Sequence, residues 1–183
     1  MEECFDLLDE NGKPLGITKK RSLVHRDGDW HRSVHIWIYN HRGEILLQRR
    51  CPQKDSYPNM LDISCAGHLS AGDDSLGGAI RELSEELGLT VSPRELHYLT
   101  TLKESNVPYP GFHNNEFADI YFMKTEKETD DMVFQKEEIS ELLSVPYREF
   151  KEMVKRKQED LLMHPEEFAA LFNHLDQILS DLC

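Results

Sequence analysis

Apolar and polar positions along the chain change period several times, and each change marks an element. Residues 5–16 (FDLLDENGKPLG) run apolar, turn at Asn11-Gly12 and return, which predicts a hairpin. Residues 34–39 (VHIWIY) and 44–48 (EILLQ) flank a turn over 40–43 and predict a second one, while 60–65 (MLDISC) reads as a short buried strand. The period then becomes helical: Leu76, Ala79, Ile80, Leu83 and Leu87 share one face of 75–87, with Ser75 as N-cap and Gly88 as C-cap. Strands follow near 96–103 and 116–124. The last third reads as helix over 137–143, 147–157 and 165–180, with Pro146 and Pro165 at the breaks. Hairpins, a helix, strands and then helices predict one mixed α/β (α+β) domain over 1–183, its sheet largely antiparallel. In the C-terminal helices Phe150, Met153, Val154, Phe168, Leu171, Phe172, Leu175, Ile178 and Leu179 are core at helical spacing, with a homodimer interface as the alternative.

Composition narrows the partners. The 183 residues are 39% hydrophobic and 30% charged, as in folded globular domains. No apolar run approaches the ~20 residues of a membrane span, and the acidic start MEECFDLLDENGK has no signal-peptide core. The expected location is therefore cytoplasmic. A net charge of −13 argues against nucleic acid as a partner. It also repels small phosphates, so an anionic substrate would need a metal ion and local Arg or Lys. Cys4, Cys51, Cys65 and Cys183 form no CxxC pair and are expected to be free thiols.

The 75–87 helix carries the chemistry. Glu82, Glu85 and Glu86 lie at i, i+3 and i+4, so three carboxylates share a face where they repel one another. Arg81 reaches Glu85 but cannot serve all three. Gly77-Gly78 adds a cost of about 1 kcal/mol per helical glycine, tolerated where another backbone must come close. A solvated acidic face explains neither expense, whereas a hard-cation site explains both. Magnesium or manganese takes such oxygen ligands and shares them with substrate phosphates.

The segment GHLSAGDDSLGGAIRELSEELGL (67–89) resembles the Nudix box, G-x5-E-x7-R-E-U-x-E-E-x-G-U with U aliphatic. Gly67, Arg81, Glu82, Leu83, Glu85, Glu86, Gly88 and Leu89 all match, and only Asp73 departs, standing where the pattern has Glu. The resemblance implies a loop–helix–loop on a mixed sheet in an α/β/α sandwich, and hydrolysis of a small-molecule diphosphate. Glu82, Glu85, Glu86 and the Gly67 carbonyl would hold Mg2+ or Mn2+, with Glu85 and Glu86 catalytic and Arg81 orienting Glu85.

Residues 6–122 also resemble type I isopentenyl-diphosphate isomerase, a Nudix-fold enzyme that does not hydrolyse. The matching features are His25, His31, Trp37 to Asn40, the LLQRR-x3-K stretch, Gly67-His68 and Glu116. This resemblance implies a second metal site of His25, His31, His68 and Glu116, and a diphosphate clamp of Arg21, Arg50 and Lys54. Two departures favour a hydrolase. Ala66 stands at the isomerase's catalytic cysteine, with Cys65 one residue early and so on the opposite strand face. Asn114 replaces one metal-binding Glu. Isomerase, isoprenoid-diphosphate hydrolase and non-catalytic sensor remain the alternatives.

Glu116 is the favoured general base or extra ligand, with Asp119 as rival and Glu137 and Glu138 as further candidates. Specificity is expected in a loop over 104–115 and in the C-terminal helices. Tyr109, Phe112 and Trp37 are candidate stacking residues, each with core or loop packing as the alternative.

Overall fold

A computed structural model describes residues 2–178. Leu179 and Ser180, at the end of the expected last helix, and Cys183 lie outside these residues. The N-terminal hairpin forms as β1 (Cys4–Leu8) and β2 (Pro14–Lys20), a separate two-stranded sheet. It leads into α1 (Arg21–Asp27), a two-turn helix that no periodicity announces and that ends at Gly28 in the left-handed region at φ 73°.

The larger sheet has seven strands: β3 (His31–Asn40), β4 (Glu44–Arg50), β5 (Leu61–Asp62), β6 (Cys65–His68), β7 (His97–Tyr109), β8 (Phe112–Thr125) and β9 (Ile139–Pro146). Its spine runs β5-β4-β3-β8-β7, with β6 beside β3 and β9 beside β4. β3 and β8 are parallel and the other pairings antiparallel. Strand β4 pairs with β3 only at Tyr39–Ile45 and then diverges, so β6 takes over the freed edge of β3. Buried Ser64 spans the split, accepting from Ile38 N at 2.9 Å and donating to Leu46 O at 2.5 Å. The opening beyond it is the cleft described below.

Side-chain alternation along β3 assigns the two faces. Val34, Ile36 and Ile38 pack with Ala79, Leu83 and Leu87 of α2 (Ser75–Leu87). Trp37 faces the other way, into a core with Phe150 and Met153 of α3 (Tyr147–Lys155) and Phe168, Leu171 and Leu175 of α4 (Pro165–Ile178). The result is an α/β/α sandwich, as expected. Of the apolar C-terminal residues expected as core, Phe150, Met153, Phe168, Leu171 and Leu175 are buried in it, Val154 and Phe172 pack against it partly buried, and Ile178 is exposed. No described helix is long and apolar enough to cross a membrane, and the described cysteines Cys4, Cys51 and Cys65 are free.

Four local expectations need correction. Residues expected as a helix over 137–143 form β9 instead, because Ile139 and Leu142 fill the α2-side core while Leu143 and Val145 fill the other. The strand expected over 60–65 is two short strands, β5 and β6, separated at Ile63–Ser64. The expected loop over 104–115 is the far half of the β7–β8 hairpin, turned at Pro110-Gly111. The α2 N-cap is Asp74, whose Oδ1 accepts from Gly77 N at 2.9 Å, while the Ser75 hydroxyl meets Tyr121 Oη at 2.9 Å.

Candidate active site

A cleft of about 1030 Å3 opens where β3 and β4 part. Strand β6 forms its spine, and each side of β6 carries a different group of polar residues.

On the α2 side, Gly67 lies against the Glu82 carboxylate so closely that an added Cβ would overlap its carboxyl carbon. Glycine is required there by close approach, not by backbone angle. Arg81 organises the group: Nη1 donates to Glu82 at 2.8 Å and to Glu85 at 3.0 Å, and Nη2 donates to Asp73 at 3.1 Å and the His68 carbonyl at 3.0 Å. Arg81 thus serves two of the three carboxylates and also holds Asp73, tying the loop to the helix. Glu86 stands apart, its buried Oε2 without a hydrogen-bond partner among the described residues. Burial, then the nearby Glu82 charge, pushes its carboxyl up to about 8, and burial raises Glu82 as well. Two carboxyls raised mainly by burial, one with an orphaned oxygen, are what a divalent cation would relieve. The helical glycines differ from expectation: Gly78 admits the Leu69 side chain and Gly77 faces the Asp74 carboxylate, so side chains rather than a backbone come close.

Across β6, His25 from α1, His31 from β3 and His68 from β6 converge with ligand atoms within 4.8 Å of one another. His25 Nδ1 donates to the His113 carbonyl at 3.2 Å and His31 Nδ1 donates to the Asp29 carbonyl at 3.1 Å. Those bonds fix the tautomer that leaves each Nε2 with a lone pair. The Nε2 atoms of all three rings are buried with no hydrogen-bond partner among the described residues. Burial holds all three rings below the usual histidine range, His25 at about 4 with the His31 charge adding to the effect. Glu116 completes the group: its Oε2 is 3.7 Å from His68 Nε2, and its Oε1 accepts from Asn114 Nδ2 at 2.7 Å. Asn114 therefore positions Glu116. Phe5, which no sequence motif marks, stacks on His31 and His68 with ring centroids 5.2 and 4.9 Å away. Its only signal is an apolar residue in the first hairpin.

The basic residues line the same cleft, each already engaged. Arg21 pairs with Glu3 at 3.1 Å, Arg50 with Asp62 at 3.1 Å, and Lys54 with Glu138. Ala66 also faces the cleft. Cys65 does not: it is fully buried in the α2-side core, where burial and then the Glu86 charge push its thiol well up. The one-residue offset thus has the consequence expected of it. Two candidates drop out. Asp119 lies on the opposite sheet face, held by Arg32 at 2.8 Å and Thr101 at 2.5 Å, so it is no rival base. Trp37 is 2% exposed with its indole bonded to Glu167, so it cannot stack on a ligand. Tyr109 and Phe112 do reach the cleft, where Phe112 stacks on His25 at 4.1 Å.

The NUDIX domain family matches residues 29–165. The chain belongs to the Nudix family. It is 39% identical to Nudix hydrolase 3 of Arabidopsis thaliana over its whole length, though it spans only 24% of that protein. It is 32% identical to an isopentenyl-diphosphate Delta-isomerase of Pectobacterium atrosepticum, covering 91% of this chain and 85% of the relative. The crystal structure of DR0079 from Deinococcus radiodurans shares the Nudix fold with a TM-score of 0.70 at 19% identity, over 92% of this chain and 97% of that one. Both resemblances read from the residues are therefore real features of this Nudix chain.

Proposed function

We propose that the chain is a divalent-metal-dependent hydrolase that cleaves a diphosphate linkage in a small molecule. The observation that carries the proposal is the intact carboxylate group on α2, with the orphaned Glu86 oxygen and Gly67 pressed against Glu82. Glu82, Glu86 and the Gly67 carbonyl suit magnesium or manganese. The three imidazoles with Glu116 suit a borderline ion such as manganese or zinc. A bound cation supplies charge neutralisation at the phosphoryl oxygens and a more acidic water.

The chain's own groups do the rest. Arg21, Arg50 and Lys54 can turn from their carboxylate partners to diphosphate oxygens, where guanidinium and ammonium groups bind well. Arg81 holds Glu85 beside the cation site while leaving it largely exposed, so Glu85 is the carboxylate open to take a proton from water. The contacts of Glu116 favour its reading as a metal ligand over that as a base. Ala66 offers no proton to a carbon centre, which weighs against isomerase chemistry, and Cys65 faces away.

The test is phosphate and pyrophosphate release from a panel of nucleoside diphosphates, nucleotide sugars, dinucleotides and isopentenyl diphosphate, with magnesium or manganese and with chelator. Glu86→Gln should lower turnover at least about 100-fold with an unchanged melting temperature, the scale of loss expected when charge stabilisation is removed. Full activity in this variant would overturn the assignment.

A further inference from the structure

The cleft floor continues along β3 past the three-histidine group, and it is polar. Along β3 the residues facing this side are His31, Ser33, His35 and Trp37. Ser33 is 2% exposed and lines the cleft, and its hydroxyl is buried without a partner among the described residues. A stranded buried hydroxyl costs about 1–3 kcal/mol, so its presence calls for a cause.

The neighbours supply one. His35 Nδ1 donates to Glu167 at 3.0 Å, and Glu167 also accepts from Trp37 Nε1 at 2.6 Å. That leaves His35 Nε2 for the cleft. Burial alone would lower the pKa of this ring, but Glu167 outweighs it and holds it at about 10, so the imidazole offers a donor to the cleft. Glu104 comes from β7, directly across from Glu116, with a carboxylate oxygen within 4.8 Å of the His35 and Glu167 ligand atoms. No hydrogen bond or ion pair engages it among the described residues. An alanine flanks each of the two on one side, Ala118 beside Ser33 and Ala66 beside His35, while His68 and Ile120 stand on their other sides.

We propose that Ser33, His35 and Glu104 form a subsite for a hydroxyl-bearing organic group, such as the sugar of a nucleoside or hexose diphosphate, and that hydrocarbon diphosphates are the poorer substrates. The subsite rests on the hydrolase reading above and names its substrate class. A hydroxyl group donates to Glu104 and accepts from His35, and a vicinal one satisfies Ser33. An isoprenoid tail laid on the same floor would desolvate Glu104, His35 Nε2 and the Ser33 hydroxyl without offering any of them a hydrogen bond. Sites built to bond a substrate hydroxyl reject analogues that lack it by large factors.

The experiment compares kcat/KM of the magnesium-loaded chain for UDP-glucose, ADP-ribose and CDP against isopentenyl and geranyl diphosphate. At least one hydroxyl-bearing substrate should lead both isoprenoids by about 100-fold or more. Glu104→Leu and Ser33→Ala should each shrink that ratio at least tenfold, mainly through KM, and Glu104→Gln should shrink it less. Melting temperatures report whether each variant folds. Calorimetric binding of the same five compounds to magnesium-loaded Glu85→Gln protein, which lacks the proposed proton acceptor and keeps the α2 cation ligands, gives a second readout that needs no turnover. If nothing is hydrolysed but the sugar-bearing compounds still bind preferentially, the hydrolase reading fails and the subsite stands. Preference for isoprenoids in turnover or binding, or an unmoved ratio in both Glu104→Leu and Ser33→Ala, would overturn the subsite.

Discussion

Gly67 is where a single hydrogen atom separates a structural from a functional requirement. Its neighbour is the far end of a flexible side chain, the Glu82 carboxylate, and not backbone. A methyl group there therefore moves the carboxylate rather than the strand. Gly67→Ala should keep the wild-type melting temperature to within a few degrees, because a surface-lining shift of this kind costs roughly 1 kcal/mol or less. It should weaken cation binding at the α2 site and lower turnover at least tenfold. Calorimetric manganese titration alongside the turnover assay checks both, and wild-type affinity with wild-type turnover would show that Glu82 position is immaterial. At this scale the sequence was highly legible for α2, whose spacing alone pointed three carboxylates one way. It was less so for Ser33, Glu104 and Glu167. A serine in a strand, a glutamate in an expected loop and a glutamate at a helix start carry no pattern, and only the fold brings them to one floor.

Among the elements, the span of α2 follows from its apolar period and terminal glycine, while its N-cap falls on Asp74, one residue before the expected Ser75. At its C-terminus, Gly88 sits at φ 61° while Leu89 N bonds Leu83 O at 3.0 Å, closing the last turn. Its start rests on Asp74. Asp74→Ala should lower stability by about 1 kcal/mol, measured by urea unfolding, since it removes the acceptor for Gly77 N. An effect above about 3 kcal/mol would mean that Asp74 does more than cap. Strand β9 misled for a physical reason. Its short apolar run, ISELLSVP, fits either period, and such runs are decided by their partners. Here the partner is β4, with a register shift at Arg49–Arg50 that lets Ile139 and Leu142 share one core while Leu143 and Val145 share the other. Helix α1 escaped notice because seven residues offer too little periodicity, although His25 on it was found through its resemblance.

For the molecule as a whole, the cleft concentrates titrating groups of opposite tendency, and stability should record them separately. His35 is buried against Glu167, which holds its pKa at about 10, against about 6.5 in the unfolded chain. Between those values the folded state holds a proton that the unfolded state has lost. The pair's stabilisation is therefore complete below about pH 6.5 and fades as pH rises towards 10, at up to about 1.4 kcal/mol per pH unit. His25, His31 and His68 have lowered values, so above about pH 7 they are neutral in both states and add nothing to this slope. Glu86 and Cys65, both raised, do add to it, so the wild-type curve alone cannot isolate His35. The comparison that does so is His35→Gln combined with Glu167→Gln, which removes both charges while amides keep the Trp37 bond and the space filled. Single replacement of His35 would leave the Glu167 carboxylate buried without its charge partner. Urea unfolding of both proteins from about pH 6.5 to 9.5 should show the wild type losing stability more steeply than the double variant. Parallel curves would mean that the His35 ring is already neutral at the lower end of that range. The donor assigned to the sugar subsite would then be a neutral imidazole, able to accept from a hydroxyl instead of donating to it.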